Sequence, residues 1–289
     1  MKRHAVPERN VAKRPPDCRR SRLGDRLRLA ALAVALSCGV ASVHAAPPKE
    51  STAFGAALGA TPDAASKALR SQYAPCAPTR SIYHELPADK TPYAASVAIN
   101  PGLTFNDIGA ADLCAYSPAG EGITDGVEVR FVHPSIDAAQ PVYQIEGRRL
   151  YPDVVYARPA TLRNTFEAIR RGLFALYGKP LEERRDRVAS SAANLAASLG
   201  IGKDVKREDY LVQYLWAEKG RLGDVDQEGV PCDCKGRYVK AALEISRAPT
   251  TIPKNTFYVL SVTITVDDPD LRRRQEAWNA QWQTVSATR

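Results

Sequence analysis

Histidine is scarce in this chain: there are four, and two of them, His4 and His44, fall within the first 45 residues. The other two, His84 and His133, form no ligand-like pair, so a histidine-built zinc site lacks its spacing and a Ser-His-Asp triad has few candidate bases. Both stand in loop or turn contexts. There is no Gly-x-Ser-x-Gly elbow and no glycine-rich nucleotide loop. Among the many Asp and Glu residues no pair is singled out as the carboxylates of a glycoside hydrolase. Long apolar runs are equally lacking: past residue 45 no stretch approaches the roughly 20 residues that span a bilayer as a helix. No transmembrane helix is therefore expected after that point.

What the first 45 residues do hold is a leader-like order: ten Lys and Arg, an apolar run from Leu29 to Val40, then small residues ending Val43-His44-Ala45. A basic region, a short apolar core and an Ala-x-Ala-like end make up a secretory signal peptide, here expected to be cleaved after Ala45. The protein is then periplasmic or secreted. Two variants share the same residues: a lipoprotein anchored through Cys38 in Ala35-Leu36-Ser37-Cys38, and twin-arginine export through Arg19-Arg20. Net charge is +8 for the full chain, but the leader carries ten of the 40 basic and three of the 32 acidic residues. The remainder is nearly neutral, 30 against 29, which argues against nucleic acid as a partner. The runs Arg170-Arg171, Glu182 to Arg187 and Arg272 to Arg274 read as solvated helix faces.

Cys18 and Cys38 depart with such a leader, leaving Cys76, Cys114, Cys232 and Cys234. An even number in an oxidising compartment implies disulfides, with three connectivities open to four cysteines. A Cys76–Cys114 bridge would close a loop rich in Pro and polar residues, worth about 3–4 kcal/mol by loop closure. Cys232 and Cys234, two apart, read as a strained mutual bridge, a reactive pair, a metal site or partners for the upstream cysteines.

Residues 46–58 read as a flexible tether, followed by a single α+β domain over 59–289. Thr61-Pro62-Asp63 is a helix start, with a cap, Pro at the first position and an acid in the first turn; that helix ends near Tyr73. Residues 76–125 are dense in Pro, Gly, Ala and Tyr and read as a loop-rich lobe held by the first disulfide, with only Ala95 to Ile99 strand-like. Alternation predicts strands at Val127 to Phe131 and Pro141 to Tyr151. Leu162, Phe166, Ile169, Leu173 and Leu176 recur at helical spacing and predict a helix to Tyr177, stopped by Gly178 and Pro180. A second helix is expected over Leu181 to Leu199, then strands at Tyr210 to Trp216, Val239 to Ile245 and Phe257 to Val266, and a final helix after Asp268. Strands in hairpin-like runs favour α+β, an antiparallel sheet of about five strands with helices packed on it.

The segment Asp125 to Phe131 (DGVEVRF), the helix ending Leu176-Tyr177-Gly178-Lys179-Pro180 and the Trp-containing strand after it resemble a group of uncharacterised exported proteins of Gram-negative bacteria, over about residues 120–266. The opening Leu58 to Asp63 is similar to the start of the SmpA/OmlA-like small lipoproteins of the outer membrane. These resemblances imply an envelope compartment and an α+β fold, and no chemistry.

The most site-like stretch is Arg221 to Gly236. Asp224, Asp226 and Glu228 alternate ahead of Gly229, as in the first half of a calcium loop, but Lys235 stands where the closing Glu belongs. An acidic hairpin loop exposed to solvent is the expectation, with no cofactor; calcium is the one cation the spacing suits. Tyr210, Tyr214 and Trp216 share a strand face, and Leu271, Trp278, Trp282 and Val285 a helix face. Either reads as a sheet–helix contact, with Trp278 and Trp282 the alternative partner-binding surface. A non-catalytic protein that binds an envelope protein or cell-wall component is the leading expectation; a small periplasmic hydrolase is the alternative.

Overall fold

Period-two alternation builds most of the molecule. In the computed structural model, which describes residues 48–73, 80–85, 91–107, 124–151, 164–188, 208–223, 232, 234–247 and 256–287, eight strands form one antiparallel sheet. A short hairpin, β1 (Thr52–Ala53) and β2 (Ala56–Ala57), precedes helix α1 (Pro62–Gln72). Then come β3 (Arg80–Glu85), β4 (Pro92–Ile99), β5 (Thr124–Phe131) and β6 (Val142–Leu150). Helix α2 (Phe166–Tyr177) leads into β7 (Glu182–Arg187), β8 (Glu208–Trp216), β9 (Tyr238–Arg247) and β10 (Tyr258–Asp267), and α3 (Pro269–Ala287) closes the chain. The order across the sheet is β3-β4-β5-β6-β10-β9-β8-β7. All described residues belong to one compact unit, Val43–Arg289.

The α+β class and the antiparallel sheet stand as expected, and four details are corrected. The sheet has eight strands, not about five. Glu182–Arg187, expected within a helix, is the edge strand β7, and its six residues pair with Leu215 to Tyr210 of β8. Charged side chains suit a sheet edge, where they block further pairing, so the local run of Glu and Arg carried no strand signal. Within the expected lobe, β3 and β4 extend the main sheet through β5. Cys76 and Cys114 lie outside the described residues. Residues 52–58, expected as tether, form the hairpin that buries Ala53 and Ala56. Its Phe54 ring lies so close to Gly147 of β6 that a Cβ there would stand 2.2 Å from the ring.

One face of the sheet is apolar and covered. Val97, Val127, Val129, Ile145, Leu243 and Val262 point into a core capped by the hairpin, α1 and α2. Thr61 caps α1 by accepting the Ala64 N–H, and Ala65 and Leu69 are its buried residues. Thr165 does the same for α2, whose inward stripe is Phe166, Leu173 and Tyr177. Leu176, expected on that stripe, is 47 % exposed; the helix turns Tyr177 inward in its place, where it meets Trp216 at 5.2 Å between ring centroids. Trp216 also donates its indole N–H to the Gly178 carbonyl at 2.9 Å. Tyr210, Tyr214 and Trp216 are thus part of this helix–sheet contact, as their shared face implied.

Candidate functional site

The opposite face of the same sheet is polar, and cross-strand register sets its side chains in rows. One row runs Gly126 (β5), Arg148 (β6), Thr263 (β10), Ala242 (β9), Gln213 (β8) and Arg184 (β7). The row beside it runs Glu128, Glu146, Thr265 and Lys240. Small residues sit in the middle, Thr263, Thr265 and Ala242, and long ones flank them. The result is an open trough of about 490 Å³, walled at one side by the 101–104 turn. With strands about 4.8 Å apart, the distance from Arg148 to Gln213 is roughly 14 Å.

The trough presents chiefly hydrogen-bond donors. Arg130 donates to Glu128 at 2.9 Å and to the Gln144 carbonyl oxygen at 2.8 Å. The Glu128 bond holds the Arg130 guanidinium above its ordinary pKa. Gln213, buried, accepts from Arg184 in the same manner. In both glutamines an arginine takes up the amide oxygen, which leaves the NH₂ end as the free donor. Arg148 differs from the other arginines of this face. Its side chain is 29 % exposed, its Nε is buried without an acceptor, and the nearest carboxylate, Glu244, stands 3.7 Å away. The ring of Phe105 lies 5.9 Å from the guanidinium carbon. Among the described residues the Arg148 side chain therefore makes no direct hydrogen bond.

At the end of the polar face, beside Gln144, Asp267 is fully buried and accepts from Arg272 of α3 at 2.9 Å. Burial pushes its carboxyl above the usual range, against the pull of Arg272. Tyr238, across the strand from Asp267, is pushed up by burial as well. This group fastens α3 to the sheet. Farther along α3, Gln275 accepts the His133 N–H at 2.7 Å, and Trp278 stacks on the His133 ring at 3.5 Å. His133 opens the turn between β5 and β6, as its loop or turn context implied, and its ring is buried between Trp278 and Tyr93. His84 lies in strand β3, opposite Tyr93. No histidine lines the trough among the described residues.

Of the other residues singled out by sequence, Cys232 and Cys234 are bonded to each other, with Cα atoms 5.1 Å apart. They pack with Leu215, Leu222 and Tyr238. Gly220 lies against them: a Cβ there would stand 2.4 Å from the Cys234 sulfur. Asp224, Asp226 and Glu228 fall outside the described residues, as does the Trp282 side chain. Among the described residues no group of three or more His, Cys, Asp or Glu could hold a metal ion, and no helix is long and apolar enough to cross a membrane. The trough itself was missed in the sequence. Its only signal was that polar positions of β5, β6, β9 and β10 alternate with the core positions, and only the register shows which of them meet.

Comparison with protein-family models, curated proteins and solved structures finds no match to this chain.

Proposed function

We propose that this is an exported envelope protein that binds another envelope component through the polar face of its sheet, without catalysing a reaction. The leader composition and the near-neutral remainder support export, and the resemblance to exported proteins agrees with it. The observation that carries the binding reading is the trough. A sheet face solvated for its own sake needs only alternating charge, whereas here small residues open a channel between half-buried donors with spare capacity. A small envelope hydrolase is the second reading. It draws on Glu128 and Glu146, which the register sets directly opposite each other at the trough's edge, where two like charges oppose the fold unless something uses them.

Filling the channel tests this. Ala242→Arg puts a long side chain on the floor of the trough while leaving the core face intact. The variant is expected to melt within a few degrees of the parent and to lose capture of material from a solubilised envelope fraction. Capture that survives the filled trough would overturn the assignment of this face. Turnover of an envelope glycan, abolished by Glu146→Gln, would replace binding with hydrolysis.

A further inference from the structure

The geometry points to a carboxylate-bearing glycan as the ligand of the trough, anchored through Arg148; this rests on the reading of the polar face as the binding surface. Arg148 carries the weight. Its side chain is 29 % exposed and its buried Nε has no acceptor, which is costly, since buried polar groups ordinarily find partners, and among the described residues no group takes up the other N–H donors of the fork. Every other arginine described on this face has one: Arg130 with Glu128 and Gln144, Arg184 with Gln213, and Arg272 with Asp267. Glu244, at 3.7 Å, balances its charge without occupying its donors. A planar fork with unused donors is matched by a carboxylate, which takes two parallel hydrogen bonds.

What surrounds Arg148 selects the rest of the ligand. Thr263 and Thr265 supply hydroxyls, and the amides of Gln144 and Gln213, turned by their arginines, supply N–H donors. Glu146, exposed at the rim, accepts. Side chains of this kind bond the hydroxyls and ring oxygens of a sugar. An acidic peptide is served less well: the lining offers little aliphatic pocket beyond Pro101 and Leu103, and a peptide that adds to a sheet does so at an edge, not on a face.

Titration calorimetry at moderate salt with sodium polygalacturonate, dextran and poly-L-glutamate tests the inference. Polygalacturonate is expected to bind, and dextran and poly-L-glutamate to bind about tenfold more weakly or worse. Arg148→Gln should weaken polygalacturonate binding about tenfold or more, the loss of one charge-assisted pair of hydrogen bonds. Arg148→Lys should recover only part of it. Arg185→Gln removes the same charge from the opposite face, where Arg185 stacks on Tyr210 and Phe257, and should leave binding unchanged. Near-UV circular dichroism of each variant verifies that the fold is kept. Equal binding of poly-L-glutamate, equal binding of dextran, unchanged binding by Arg148→Gln, or no binding of polygalacturonate would each overturn the ligand class. In any of those cases, loss of envelope capture by Ala242→Arg would still uphold the trough as the binding face.

Discussion

Asp267 and Arg272 show how one buried pair sets a pH dependence. Arg272 is mostly buried and Asp267 wholly so, and breaking such a pair leaves a charge in a poor environment, at a cost of about 3–5 kcal/mol. Asp267 has a folded-state pKa above its unfolded one. The folded chain therefore holds this proton more firmly than the unfolded chain. Through this group, stability is greatest below the unfolded pKa of about 4 and declines as pH rises through the folded value. Arg272→Ala removes the counter-ion and raises the folded pKa further. Urea unfolding is expected to show a loss of about 3–5 kcal/mol at pH 8 that narrows at pH 5, as Asp267 takes up its proton. A loss equal at both values would mean that Arg272 acts through packing alone.

At the scale of elements, α3 and the cysteine bridge separate docking from stapling. Trp278 is half-buried on His133, so its contribution is a stacked contact and some covered area, not a filled core. A bridge between residues two apart closes a very short loop, which limits its entropic gain to about 1–2 kcal/mol. Replacing both Cys232 and Cys234 by Ser is expected to lower stability by that amount, read from denaturant midpoints; complete unfolding would show that the pair does far more than staple.

Elements with their own local signal were legible in the sequence. Thr61-Pro62-Asp63 announced α1, Gly178 ended α2, and alternation marked β5, β6, β9 and β10. The misses have physical causes. Glu182 to Arg187 is charged at every position and becomes a strand only because β8 offers a long-range partner. Leu176 and Tyr177 are adjacent apolar residues at the helix end, and the Trp216 ring decides which turns inward. The trough required register across five strands, which no local window contains.

For the whole molecule, the division of the sheet into two unlike faces connects fold to function. The apolar face is spent on the hairpin, α1 and α2. The polar face keeps an open channel between Arg148 and Gln213, and the proposal is that an envelope component lies in it. Site-specific photo-crosslinking in intact cells is the most direct measurement: a benzophenone side chain at Thr265, on the trough floor, set beside the same group at exposed Glu167 on α2, across the sheet. A discrete adduct from position 265, absent from position 167 and lost when Ala242→Arg fills the channel, is the expected result. Adducts equal at both positions, or one at 265 that survives the filled channel, would contradict the assignment of the polar face.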